Sequence, residues 1–175
     1  MVDISIIGEN SIKFKSKQVT FIVDPTSAMP KTSSDAIILL NGSRNIDVGR
    51  VIDYRIIIDG AGGYEVGGVK ISGTKTSNGT LYRLSIDNIS IILGSAADAK
   101  MEGFNVCQIA VVNTTENFNE SFVTALEPKM TILYGDKKTE SAKTLGTESV
   151  TLVPKVTITK DKLPEKMEIV VLAPS

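Results

Sequence analysis

The sequence predicts one strand-rich domain of the α/β or α+β layered kind, with few short helices. Short β-type segments separated by turn residues fill the first two-thirds of the chain. Helical spacing appears only at 117–126 and 140–145, and strand patterns return after it. No linker or low-complexity stretch intervenes, so residues 1–175 read as a single domain. With 175 residues, 42% of them hydrophobic, such a domain buries roughly 70% of the surface its unfolded chain exposes.

The elements follow in order. Segments 3–7, 11–15 and 18–23 form a meander, because Ile12 and Phe14 alternate with Lys13 and Lys15 in the period of a half-buried strand. Gly8 and Ser16-Lys17 supply its turns. Segments 36–40 and 56–58 are unalternated apolar runs, as expected of central strands covered on both faces. Segments 64–73, 81–86 and 89–93 continue the sheet, with Asp87-Asn88 at a tight hairpin turn. The apolar run 106–112 also has strand character. A helix at 117–126 can start from Asn117 or Asn119, places Phe122, Val123 and Leu126 on one face, and stops before Pro128. A second, at 140–145, is closed by Gly146. Segments 149–153, 156–159 and 167–172 are the last strands.

Composition limits the chemistry. The chain has no histidine, which excludes an imidazole base, a Ser/His/Asp triad and a His-rich zinc site. Nineteen basic against twenty acidic residues leave a net charge of −1, so nucleic acid is not the expected partner and no field draws the protein to an anionic membrane. Cys107, the only cysteine, lies in an apolar run and reads as a buried, inert thiol. The first residues show no signal-peptide pattern and no apolar run approaches a membrane span, so the expected location is the cytoplasm. The glycines at 60, 62, 63, 67 and 68 lead into a strand pattern, whereas a phosphate loop leads into a helix; they serve turns and close sheet packing.

Ile58-Asp59-Gly60-Ala61-Gly62-Gly63-Tyr64-Glu65-Val66-Gly67-Gly68-Val69 resembles the Asp-Gly-Pro-Gly-Glu-Tyr-Glu-Val signature of a small branch of the metallo-β-lactamase superfamily, the zinc-dependent hydrolases related to the ascorbate-lactone hydrolases. Further similarities follow in family order. Asp3-Ile4-Ser5-Ile6-Ile7-Gly8-Glu9-Asn10-Ser11 resembles the first strand and its Gly-His-Ser turn, and Phe21-Ile22-Val23-Asp24-Pro25 a strand ending in Asp-Pro. Leu81 to Asp87, Leu126-Glu127-Pro128-Lys129 and the tail from Ile158 to Leu172 resemble later family segments. The resemblance covers nearly the whole chain and implies an αββα sandwich of the metallo-β-lactamase type.

At the positions of the metal site the resemblance fails. Where the family carries His-x-His-x-Asp-His after an apolar strand, this chain has Asn41-Gly42-Ser43-Arg44-Asn45-Ile46. The family's Leu-Gly-Asp appears as Leu93-Gly94-Ser95, with Ile92 where a histidine often stands. Its Pro-x-His-Tyr element is Leu133-Tyr134-Gly135-Asp136, with Gly135 at the histidine, and its Gly-His-Ser turn is Gly8-Glu9-Asn10. Neutral amides and hydroxyls are poor ligands, and isoleucine is none. The resemblance therefore implies a pseudoenzyme without metal or other cofactor. Its vestigial active-site positions are Glu9, Asn41, Ser43, Arg44, Asn45, Ile46, Ile92, Ser95 and Gly135.

Such a protein is expected to act by binding an unidentified small molecule or protein, or by assembly, for instance as a homodimer. Arg44 is the one residue of the motif able to bind an anion. Two alternatives stand beside this reading. One is a hydrolase with relocated carboxylate ligands drawn from Asp24, Asp35, Asp47, Asp59, Glu65 and Asp136, or with Glu9 and Asp24 as an acid/base pair. The other is a purely structural subunit whose cleft is filled by Ile46 and Ile92.

Overall fold

The computed structural model describes residues 1–42, 45–95 and 106–175. The strands are β1 (Val2–Ile6), β2 (Ile12–Lys15), β3 (Thr20–Val23), β4 (Thr32–Ser33), β5 (Ala36–Leu39), β6 (Val51–Ile52), β7 (Ile56–Asp59), β8 (Gly62–Val66), β9 (Val69–Thr76), β10 (Gly79–Ile86), β11 (Ile89–Ser95), β12 (Ile109–Asn113), β13 (Met130–Tyr134), β14 (Leu152–Val153), β15 (Lys155–Ile158) and β16 (Glu168–Leu172). Two α-helices are described, α1 (Glu120–Leu126) and α2 (Lys138–Thr144). A six-stranded sheet has the order β15-β1-β2-β3-β5-β7, and an eight-stranded sheet the order β14-β16-β13-β12-β11-β10-β9-β8. A small parallel pair, β4 and β6, completes the set.

The alternating strands behave as their pattern requires. Pairing of β1 with β2 sets Ile4 opposite Phe14 and Ile6 opposite Ile12, while Asp3 faces Lys15 and Ser5 faces Lys13. One face is thereby apolar and the other charged. The apolar faces of both sheets meet in one core, which joins Ile4, Phe14, Phe21 and Ile38 to Leu84, Ile91, Ile109 and Ile132. Burying each such side chain contributes roughly 1.5–3 kcal/mol.

The outer faces are covered unequally. Helices α1 and α2 supply Phe122, Val123, Leu126 and Ala142 to a second apolar cluster on the eight-stranded sheet, with Ile92, Val112 and Leu133. Asn119 caps α1 by accepting from Ser121 N at 3.2 Å, and the chain leaves the helix through Glu127 at φ 47°. Over the six-stranded sheet, Ile22 and Ile37 are covered by Met29 of a loop and Val51 of β6, with Val48 of a single 3₁₀ turn. The described residues place no α-helix there; that outer layer combines loops and a 3₁₀ turn with the short β4–β6 pair.

Two expected strands differ. The run 56–58 is an edge strand, not a central one: among the described residues β7 pairs only with β5, and Ile56 is 37% exposed. Only Ile58 enters the core between the sheets, and Ile57 packs partly against the outer loops. The segment 64–73 is two strands, because Gly67 and Gly68 adopt φ of 55° and 80° and fold β8 back on β9. Asp87 and Asn88 do the same between β10 and β11, at 49° and 62°.

Candidate functional site

The two sheets end together at a polar cleft of about 590 Å³. Strands β3 and β5 deliver Asp24, Leu40 and Asn41 from their C-terminal ends; β11, β12 and β13 deliver Ser95, Asn113 and Asp136 in the same way. Parallel strands bring their C-terminal ends to one side, and that is why residues far apart in sequence meet here. Asn10, Gly42 and Asn45 add to one wall, and the β9–β10 hairpin tip, Ser77 to Gly79, adds to the other. Thr115 and Glu116 follow β12 and complete the lining.

Asp24 lies at the base. It is 3% exposed, adopts φ 47°, and its Oδ1 accepts a hydrogen bond from Leu40 N at 3.0 Å. Its backbone carbonyl accepts from Ser11 Oγ at 2.7 Å. Burial pushes its carboxyl up to about 6, against the opposing pull of the Leu40 N–H. Tyr134, fully buried, has a hydroxyl with no hydrogen-bond partner. The Asn113 side chain stands beside it but completes no such bond, its Oδ1 accepting instead from Thr115 N at 2.9 Å. Burial, and then the Asp24 charge, push the Tyr134 phenol upward.

The hairpin tip is fastened to the turn after β5. Asn41 Nδ2 donates to Thr80 Oγ1 at 3.0 Å, and Thr80 N donates to Leu40 O at 2.8 Å. Gly79, at φ 136°, approaches so closely that an added Cβ would lie 2.1 Å from Leu40 O.

Of the expected site residues, Asn41, Asn45 and Ser95 line this cleft. Glu9 and Ile46 line a smaller hollow beside it, of about 370 Å³, which shares Asn10 and Asn45 with the cleft. Glu9 is exposed there and does not line the cleft with Asp24, contrary to the acid/base pairing. Ile92 faces the helix layer, since Ile91 and Leu93 on either side take the inter-sheet face. It does not fill the cleft. Gly135 is buried at φ 107° beneath the Thr114–Thr115 backbone, where a Cβ would meet atoms at 2.9–3.0 Å. Ser43 and Arg44 lie outside the described residues.

The other carboxylates scatter. Asp35 accepts from Thr20 N and Arg55, Asp47 caps the 3₁₀ turn, and Asp59 and Glu65 are exposed on strands. Only Asp24 and Asp136 of that set reach the cleft. Among the described residues, no three of Asp, Glu or Cys group so as to hold a metal ion. Cys107 is buried, and burial raises its thiol to about 11. Sequence reasoning missed Asn113, Thr115 and Glu116. Their signal was a polar run directly after the apolar strand Ile109 to Val112.

No protein-family model and no curated protein matches the sequence. Solved structures do match the fold. A metallo-β-lactamase superfamily protein from Thermotoga maritima aligns over 98% of this chain and 99% of its own, with a TM-score of 0.74 at 17% identity. The metallo-β-lactamase fold protein YhfI from Bacillus subtilis aligns over 99% and 97%, with a TM-score of 0.61 at 10% identity. A metallo hydrolase from Ignicoccus hospitalis gives 0.60 at 10% identity over 97% and 95%. The chain has the metallo-β-lactamase fold. Zinc in such a centre asks for imidazole, thiolate or carboxylate ligands held together. The described lining offers mainly amides and hydroxyls, with carboxylates that do not group, and so does not fit that centre.

Proposed function

We propose that this protein is a pseudoenzyme, a binding protein built on a metallo-hydrolase scaffold whose metal motif has been replaced by neutral polar side chains. The lining of the cleft where both sheets end supports the reading: Asn41, Asn45 and Ser95, which the sequence resemblance sets at metal-ligand positions, bring only amides and a hydroxyl to it. Ile92 packs in the helix layer and Ile46 lines the adjoining hollow, so among the described residues neither isoleucine lines the cleft. Amides and hydroxyls both donate and accept hydrogen bonds, and that suits recognition better than metal-assisted hydrolysis.

Metal analysis and thermal unfolding test this. Added Zn²⁺ or Mn²⁺ should leave the melting temperature unchanged, since a ligand stabilises a fold only by binding it preferentially. Phosphodiester and lactone substrates should stay intact. Stoichiometric metal in the purified protein, removed by a chelator together with a hydrolytic activity, would sink the proposal in favour of the relocated-carboxylate hydrolase. A gain-of-metal variant should carry Asn41→His, Asn45→Asp and Ser95→Asp, and should keep glycine at position 135, where any side chain collides with Thr114 and Thr115.

A further inference from the structure

Among the described residues the lining of the cleft is acidic. Asp24, Glu116 and Asp136 line it, and no Lys or Arg does among the described residues. The described salt bridges engage Asp3, Asp35, Asp47 and Asp87, so none of the three cleft carboxylates is ion-paired. Burying a carboxylate without a cation is costly, and a binding site is where such a cost is retained.

The base of the cleft adds acceptors that lack donors. Asp24 Oδ1 is taken by Leu40 N, while no donor among the described residues reaches Oδ2. Asn10 Oδ1 is buried and unpartnered. The Ser11 hydroxyl bonded to the Asp24 carbonyl holds the two neighbouring segments side by side. A complementary ligand must therefore donate hydrogen bonds and carry positive charge. An anion would meet three carboxylates, and a bare divalent ion would find no grouped ligand set.

We propose that the cleft binds a small organic cation, a primary ammonium compound. The ammonium donates to Asp24 Oδ2 at the base, and a second cationic or polar end lies toward Glu116 and Asp136 at the mouth. This assignment rests on the cleft being a binding site, as inferred above, and names its ligand class. The volume of about 590 Å³ lies in the range that holds small ligands.

Calorimetric titration with three four-carbon probes tests it: 1,4-diaminobutane, 1,4-butanediol and succinate. The diamine should bind saturably with one site per chain, and the diol and the diacid at least about tenfold more weakly. Asp24→Asn keeps the size and the acceptor for Leu40 N but loses the charge; it should weaken the diamine by about tenfold or more. Its unfolding curve establishes that it is folded, and Glu116→Gln provides a second, milder variant at the rim. Equal binding of the diol or succinate, unchanged diamine affinity in Asp24→Asn, or no binding of any probe at millimolar concentration would overturn the proposal. Preferential succinate binding by metal-free protein would overturn the cation assignment alone. Chelator-sensitive hydrolysis would overturn the binding-protein reading whatever the titrations show.

Discussion

Two fully buried tyrosines stand in adjoining parts of the interior and are treated in opposite ways. The Tyr82 hydroxyl donates to Leu39 O at 2.7 Å and accepts from Gly60 N at 3.0 Å, so it ties β5 and the loop after β7 to the facing sheet. The Tyr134 hydroxyl, toward the cleft, has no partner. At Tyr82, then, a buried polar atom is used as a structural tie and is satisfied. Beside the cleft, Tyr134, Asn10 and Asp24 all carry unmet hydrogen-bonding capacity. Thr159 Oγ1, outside the cleft lining, is also buried and unpartnered, so the contrast is between these two tyrosines, and the unmet groups that gather beside the cleft are what a recognition surface keeps.

Substitutions at the three positions turn the contrast into free energies. Asp24→Asn should have the largest effect. The carboxyl rises from 3.8 in the unfolded chain to about 6 when buried. The native state therefore holds its proton more tightly, so stability is highest below the unfolded value and falls as pH rises from about 4 to about 6. Through that window the ionised group costs the native protein about 3 kcal/mol. The variant should match the parent near pH 4 and exceed it by about that amount at pH 7. Denaturant unfolding at both pH values checks this, and parallel pH curves for the two proteins would contradict it.

Tyr82→Phe comes next. It strands Leu39 O and Gly60 N at the edge of the core and should lower stability by about 2 kcal/mol, measurable as a shift in denaturation midpoint at unchanged slope. Tyr134→Phe should be the smallest, within about 0.5 kcal/mol of the parent or slightly stabilising, because the hydroxyl removed had no partner to strand. A loss at Tyr134→Phe as large as at Tyr82→Phe would erase the distinction between core and cleft.

Much of this fold was legible because alternation and apolar runs encode strands locally. Ile12 and Phe14 pointed inward as their spacing required, and Asp87-Asn88 turned the chain as its composition required. Strand neighbours were less legible. An apolar run such as 56–58 reads alike at a sheet centre or at an edge, and among the described residues it is the strand order that sets β7 at the end of its sheet. In the cleft, Asn41 and Ser95 could be found because each follows a recognisable apolar strand. Motif position alone misplaced Ile92 and Gly135: strand parity turns the first toward the helices, and the second is hidden under a neighbouring turn. Asp24 was one carboxylate among several until the parallel strands set it beside Asn113 and Asp136 across the sandwich.

The contact of Gly79 with Leu40 fixes how this cleft can change over descent. One wall belongs to a hairpin of one sheet and the other to a turn of the opposite sheet, and they are joined where no Cβ can be inserted. Widening the cleft by a side chain at position 79 is closed to the lineage unless the turn at Leu40 is rebuilt at the same time. New ligands are more readily acquired by exchanging the side chains at Asn41, Asn78 or Asn113, which line the frame without forming that joint's backbone. The joint thus works as a ratchet: it lets the cleft's chemistry drift while holding its mouth to one size.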